Sequence, residues 1–248
     1  MFRTSNPTLS EKMFQSVGFA GSKSEAMTIG GTINKTLVLL LLTIVSAGWI
    51  WSKVITDPSA SYIGWIMGGA IGGLIVALVI SFKKEWAGYL APAYALLEGL
   101  FLGAISAIFE SMYPGLVLRA VLLTLAVMFV MLTAYRSGWI KVTEKFRSIL
   151  MIATAGIMLA YFVVWIIGLF GVQFSAMYDS SPLGIGISLF VVAIAALNLL
   201  LDFDFIEKGS QANLPKYMEW FAAFGLMVTL IWLYIEMLKL LARFANRD

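Results

Sequence analysis

Seven apolar stretches, each long enough to cross a lipid bilayer, lie between Thr32 and Ala242 of this 248-residue chain. A transmembrane helix needs about 20 predominantly apolar residues, and the hydrocarbon core admits only segments that satisfy their own backbone hydrogen bonds. The chain is 60% hydrophobic and 12% charged, whereas soluble domains are about a quarter charged. We therefore predict an all-α polytopic membrane protein, a bundle of seven transmembrane helices, and exclude a soluble globular domain.

Turn residues at the ends of the stretches set the predicted domain boundaries. The spans cover about 33–52, 62–82, 87–109, 116–135, 148–170, 183–206 and 219–242. Together they form a transmembrane domain over about residues 32–244. The polar tail before it, residues 1–31, has no long apolar core, so we expect no cleavable secretory signal. The connectors leave no room for a soluble catalytic domain, and we expect no enzyme activity.

The distribution of lysine and arginine predicts the orientation in the membrane. Twelve of the 17 basic residues fall on the side of the tail and of the connectors that follow spans two, four and six. Cytosolic loops carry an excess of positive charge, so we place the amino terminus in the cytosol and the carboxy terminus outside. The twelve are Arg3, Lys12, Lys23, Lys35, Lys83, Lys84, Arg136, Lys141, Lys145, Arg147, Lys208 and Lys216.

Histidine and cysteine are both absent from the sequence. Their absence excludes thiolate nucleophiles, Ser-His triads, His-ligated zinc or haem and Cys-ligated iron–sulfur clusters. A metal ion would have to be a hard cation held by oxygen, and we predict no cofactor. The pI near 9.0 reflects loop lysines and arginines, so we predict the lipid bilayer as a partner and no nucleic acid.

Four acids in or near the spans are the candidate functional residues: Glu98, Asp202, Asp204 and Glu236. An ionised side chain costs about 2.5–3.5 kcal/mol at the centre of a bilayer helix and therefore faces protein or water rather than lipid. Glu98 lies closest to the middle of its span. It is predicted to be protonated, partnered or hydrated, and to serve either ion or proton handling or a structural hydrogen bond.

Asp202 and Asp204 end the sixth span, two positions apart, so they point about 200° away from each other on a regular helix. Asp202 is the predicted inward residue because Ser188 and Asn198 share its face, whereas Asp204 is expected to reach the interface and water. The alternative is an interfacial pair solvated by headgroups and by Lys208.

Two other features are ambiguous from sequence. Lys83 ends the second span on the same side of the membrane as Asp202, which permits an ion pair; the alternative is that Lys83 and Lys84 only mark a helix end, and for Lys84 this is the preferred interpretation. Glu236 precedes Lys239 by three residues, so the two form a local ion pair or Glu236 faces the bundle interior.

Small residues recur in the second and third spans, at the positions where helices are predicted to approach each other closely. Tight packing is the preferred interpretation, and a glycine-lined pore wall or hinge is the alternative. The residues are Gly64, Gly68, Gly69, Gly72, Gly73, Gly99, Gly103 and Ala107.

The order of these features resembles the Bax inhibitor-1-like family. The likeness rests on seven compact spans, the Asp202-Phe-Asp204 end of the sixth, the Glu98-Gly99 step of the third and the basic residues that close the second. The stretches 6–12 and 31–36 are similar to the bacterial YccA-like branch. The resemblance implies location in the bacterial inner membrane.

The resemblance also implies a function, a pH-sensitive Ca²⁺ leak in which acids on the sixth and seventh helices share a proton and a basic residue on the second helps to gate. Asp202 matches the sixth-helix acid, Lys83 is the nearest basic match, and Glu236 is the nearest acid on a seventh helix that departs from the family pattern. Asp202 and Glu236 are then the predicted Ca²⁺ contacts.

The predicted function is therefore a passive, pH-modulated cation leak with a preference for Ca²⁺, gated by protonation of intramembrane acids. The resemblance to the YccA-like branch also implies an alternative, a regulator that binds membrane proteases through its cytosolic tail. A third hypothesis is a proton-coupled transporter that uses Glu98.

Overall fold

The protein is described by a computed structural model over residues 25–57, 62–171 and 179–246, in which it forms seven long helices. Each is long and apolar enough to cross a membrane, and the only β pairing within these ranges is an isolated bridge between Ala26 and Pro215. The predicted all-α fold with seven spanning helices is confirmed. The helices are α1 (Ile29–Thr56), α2 (Ile63–Phe82), α3 (Ala87–Met112), α4 (Leu116–Arg136), α5 (Glu144–Leu169), α6 (Pro182–Gln211) and α7 (Met218–Ala245).

Threonine caps set the start of two helices. The hydroxyl of Thr28 accepts a hydrogen bond from the N–H of Gly31 at 3.0 Å, and Thr143 accepts one from Phe146 at 3.2 Å. Such caps satisfy first-turn donors that have no partner inside the helix. Because the cap lies outside the apolar run, α1 and α5 begin about one turn before the spans predicted for them. The predicted tail, residues 1–31, lies outside the described residues up to residue 24.

The chain forms two compact units. The first unit comprises Lys12–Pro114 and Asp204–Val228, and therefore contains α1, α2, α3, the end of α6 and the start of α7. The second unit contains Gly115–Phe203 and Thr229–Asp248, which supply α4, α5 and the remaining parts of α6 and α7.

In the first unit, glycines let α3 lie directly against α1. A Cβ added to Gly99 would collide with the backbone of Thr43, and one added to Gly103 would collide with the backbone of Ala47. The hydroxyl of Thr43 donates across the same contact to the carbonyl of Ala95 at 3.2 Å. Backbone approach through small residues, with hydroxyl hydrogen bonds across it, is how membrane helices associate when lipid is as apolar as their side chains.

The contact between α2 and α3 uses only some of the α2 glycines. A Cβ on Gly69 would lie 2.7 Å from the carbonyl oxygen of Leu97, and one on Gly73 would lie 2.6 Å from the carboxylate of Glu98. Gly64 and Gly68 meet nothing within 4 Å among the described residues. Among the described residues, the predicted tight packing is thus found at Gly69 and Gly73 but not at Gly64 and Gly68.

The core of the second unit lies between α5 and α6. Apolar side chains of the two helices bury one another, and Tyr161 of α5 and Trp232 of α7 pack against this cluster. Tyr135 of α4 adds a ring contact with Phe203, with centroids 6.1 Å apart. The buried members of the cluster are Leu150, Ile157, Val191, Ile194 and Leu201.

Candidate functional site

The acids predicted from sequence fall into both units. Glu98 and Asp204 belong to the first unit, whereas Asp202 and Glu236 belong to the second. Glu98, Asp204 and Glu236 are buried, which agrees with the expectation that an acid on a spanning helix faces protein. Each carboxylate has its own set of partners.

Glu98 is enclosed within the first unit. Its carboxylate accepts a hydrogen bond from the hydroxyl of Tyr94, one turn earlier on α3, and lies over Gly73 of α2. The ring of Tyr94 is fixed in turn by an edge contact with Phe224, with centroids 4.9 Å apart. Glu98 is therefore held by a structural hydrogen bond at a position that only a glycine on the facing helix leaves open.

Asp204 is buried, which differs from the expectation that its carboxylate would reach water. Lys208, one turn further along α6, places its ammonium 2.8 Å from the carboxylate. The lysine side chain is 31% exposed and the aspartate side chain 8%. An i,i+4 pair of this kind lets a long lysine carry its charge outward while it neutralises a buried acid.

Asp202 has no such countercharge among the residues that the structure describes. It forms a hydrogen bond with the hydroxyl of Thr229 on α7, while its Oδ2 atom is enclosed and has no hydrogen-bond partner among the described residues. One turn earlier on α6, the side-chain amide of Asn198 donates to the hydroxyl of Thr154 on α5 at 2.9 Å. An enclosed carboxylate oxygen without a donor is costly in a helix bundle, and it is available to a proton or a cation.

Glu236 is paired inside the second unit. Both carboxylate oxygens lie 3.1 Å from the hydroxyl of Tyr161 on α5, and the ammonium of Lys239 lies 2.5 Å from one of them. The two interpretations offered by the sequence therefore both hold, because Glu236 faces protein and also pairs locally with Lys239.

Asp202 and Glu236 have different recorded partners among the described residues, Thr229 for the former and Tyr161 with Lys239 for the latter. Asp202 contacts α7 at Thr229, and Glu236 follows seven residues later, about 10 Å along the helix axis. No hydrogen bond between the two carboxylates occurs among the described residues, and within the same residues no group of three or more acids is placed to hold a metal ion. The predicted Ca²⁺ contact of Asp202 and Glu236 stays a prediction.

The connector between α2 and α3 contacts the start of α7 through Lys84 rather than Lys83. Lys83 is exposed, directly follows the last residue of α2 and forms none of the salt bridges among the described residues. The ammonium of Lys84 instead lies 5.7 Å from the ring centroid of Phe221. Burial, with the carboxylate of Glu85 nearby, raises the pKa of Tyr217 above its ordinary value. Lys84 therefore does more than mark a helix end.

A fifth acid, Glu219, is the most enclosed of all and was not predicted from sequence. It is fully buried in the first turn of α7. Its carboxylate accepts hydrogen bonds from the N–H and the hydroxyl of Thr28, at 2.9 and 2.8 Å. It also pairs with Lys35 of α1 and, at 3.3 Å, with Lys216.

Backbone hydrogen bonds also join residues 25–27 to the connector that precedes α7. The N–H of Met27 donates to the carbonyl of Leu214 at 2.6 Å, and the N–H of Lys216 donates to the carbonyl of Glu25 at 2.8 Å. Gly31 is required beneath the carboxylate, because a Cβ there would collide with Glu219. Residues 25–28, just before α1, are thereby held against the connector between α6 and α7 and the first turn of α7.

Comparison with known protein families matches residues 6–246 to the family described as Bax inhibitor 1 like. The matched range includes all seven helices. Comparison with curated proteins gives no match. The YccA-like branch is not tested by the family match and stays a prediction from the residues.

Proposed function

The chain belongs to the Bax inhibitor 1 like family, and from that membership together with its buried acids we propose that it is a passive, pH-modulated cation leak with a preference for Ca²⁺. The location we propose is the bacterial inner membrane, with the tail in the cytosol. Both follow from the resemblance and from the positive-charge bias of the connectors.

The observation that carries the proposal is the enclosed, unpartnered oxygen of Asp202. The carboxylates of Glu98, Asp204, Glu219 and Glu236 each have a lysine or a tyrosine hydroxyl as partner. Oδ2 of Asp202 has no partner among the described residues. A cation that reaches this oxygen would supply the electrostatic partner that the described residues do not provide.

The chemistry around Asp202 suits a hard cation. Ca²⁺ is bound by oxygen ligands, from carboxylates, carbonyls, hydroxyls or water, in flexible geometry. Asp202 and the Thr229 hydroxyl offer such oxygens, and the polar pair Asn198 and Thr154 lies one turn away. A single carboxylate with few fixed ligands favours weak, reversible binding, which conduction requires.

Modulation by pH follows from the same residue. Protonation of Asp202 would remove the negative charge that attracts a cation and would turn one carboxylate oxygen into a donor. Calcium flux is therefore expected to fall as Asp202 becomes protonated.

Asp202→Asn is expected to reduce Ca²⁺ flux into proteoliposomes by about tenfold or more, equivalent to about 1.4 kcal/mol, and to remove its pH dependence. The substitution keeps the shape of the side chain but removes the charge. The measurement is Ca²⁺ entry into liposomes of purified protein over a pH series.

The matched control is Asp57→Asn, the same change at an exposed residue at the end of α1, which is expected to leave flux unchanged. Wild-type flux no greater than that of empty liposomes, with folded protein, would rule out the leak. The protease-regulatory role implied by the resemblance would then be the hypothesis to test, by deletion of residues 1–24. A pH-dependent flux that Asp202→Asn leaves intact would place the pathway elsewhere.

A further inference from the structure

Three groups in the second unit converge on the ammonium of Lys239. Its Nζ lies 2.5 Å from a carboxylate oxygen of Glu236, 3.2 Å from the hydroxyl of Tyr161 and 4.6 Å from the centroid of the Tyr161 ring. The ammonium thus has a carboxylate, a phenolic oxygen and an aromatic face around it, supplied by two different helices.

These are the groups from which proteins build sites for small organic and ammonium cations. A carboxylate supplies a charge-assisted hydrogen bond, and an aromatic face within about 6 Å attracts a cation through its quadrupole. The Glu236 side chain is only 2% exposed, whereas that of Lys239 is 33% exposed. The carboxylate of Glu236 is therefore held inside the unit, and the side chain of Lys239 reaches it from the solvent-accessible side.

An ordinary ion pair on a helix surface does not explain the contacts of Tyr161 with both Glu236 and Lys239. Pairs three residues apart on an exposed helix face contribute a few tenths of a kcal/mol and need no third group. Here Tyr161, from α5, meets both oxygens of Glu236 as well as the ammonium. The other basic residue nearby, Arg243, donates to the carbonyl of Gly184 and so has its own partner.

We infer that Glu236 and Tyr161 form a binding site for a small monovalent cation, and that the ammonium of Lys239 is a tethered occupant of that site. A ligand attached by its own side chain has an effective concentration on the order of millimolar or higher. Free cations therefore compete poorly while Lys239 is present. If the charged end of the Lys239 side chain is removed, the space that it occupied should accept a free ammonium ion.

The binding site stands independently of the proposed leak. Only its effect on flux rests on that proposed function: if cations cross the second unit, Lys239 blocks one position on their route, and the block would be built into the chain rather than supplied by an inhibitor.

The test replaces Lys239 by methionine, which keeps a long apolar stem and removes the charge. In the Lys239→Met variant, ammonium chloride is expected to raise the Tm of the purified protein saturably, by about 2–4 °C. Tetramethylammonium chloride at equal ionic strength is expected to have no such effect, because it has no N–H donor and exceeds the vacated volume. Wild type is expected not to respond to either salt.

The matched control is the charge-neutral double variant Lys239→Met/Glu236→Gln, which keeps the shape of the site but lacks its anion. It is expected to fold and to show no response to ammonium. An equal response to ammonium in the double variant would overturn the inference. So would a Lys239→Met protein that fails to fold in ammonium when the double variant folds, because a free cation should replace the tethered one.

Flux measurements separate this inference from the proposed function. If the leak exists, Lys239→Met is expected to raise Ca²⁺ flux several-fold, and ammonium is expected to lower it again. Binding of ammonium without any flux would leave the site standing and reject the leak. Calcium flux without selective ammonium binding would support the leak and reject the binding site.

Discussion

Replacing Gly103 by alanine is expected to destabilise the protein by about 1–3 kcal/mol, the range for overpacked cores. The added Cβ would collide with the backbone of Ala47 and with Ile50 on α1. A backbone atom cannot rotate aside as a flexible side chain can, so the helices would have to separate and lose their contact. Thermal unfolding of the purified protein in one detergent measures the change.

Gly68→Ala is the matched control for this substitution. It makes the same chemical change in a transmembrane helix, but its Cβ meets nothing within 4 Å among the described residues. Alanine is favoured over glycine in helices by about 1 kcal/mol, so Gly68→Ala is expected to be neutral or stabilising. Equal effects at the two positions would show that α3 does not approach α1 as closely as described.

Glu219→Gln is expected to destabilise the protein by about 2–4 kcal/mol, slightly below the range for a broken buried pair because Lys35 and Lys216 are partly exposed. Glutamine keeps the size of the side chain and can still accept from Thr28, but it removes the charge that Lys35 meets. The lysine is only 19% exposed and would be left without its countercharge. Thermal or denaturant unfolding measures the loss.

A double-mutant cycle isolates the ion pair from the rest of the network. Lys35→Gln and Glu219→Gln, made singly and together, are expected to give a coupling energy of about 1–3 kcal/mol. Lys216→Gln is the control, because its side chain is 52% exposed and exposed pairs contribute about 0–1 kcal/mol. Additive effects of the Lys35 and Glu219 substitutions would contradict the pairing.

The seven helices could be predicted from sequence because the bilayer constrains the composition of each spanning segment separately. A spanning segment must be apolar over about 20 residues and must satisfy its backbone internally, and both requirements can be recognised from a single stretch of chain. The exact helix starts were less accessible. Thr28 and Thr143 lie outside the apolar runs and extend α1 and α5 by about a turn.

The partners of the acids were harder to predict, because they depend on contacts between residues far apart in the chain. Thr28 and Glu219 are separated by 191 positions, and position in a helix gives no indication that Glu219 would be enclosed. Gly31 lies in the first turn of α1, one residue before Thr32 and four before Lys35, and this local sequence is compatible with many different neighbours. Local pairs were more accessible, as Glu236 and Lys239 show.

The two aspartates of α6 illustrate the same limit. Helical geometry correctly separates their directions by about 200°, but it does not say which of the two directions is enclosed. Asp204 is buried because Lys208, one turn away, neutralises it. Asp202 keeps one oxygen without a donor among the described residues, and its partner Thr229 comes from another helix.

The backbone pairing of residues 25–27 with the α6–α7 connector can be followed by hydrogen exchange of its own amides. The amide protons of Met27 and Lys216 are donated to carbonyls across that pairing, so both are expected to exchange slowly with solvent deuterium. Slow exchange requires both sides of the pairing to be in place. Faster exchange at these two amides, with α3 still protected, would reveal detachment of the segment that leads into α1 while the rest of the first unit remains folded.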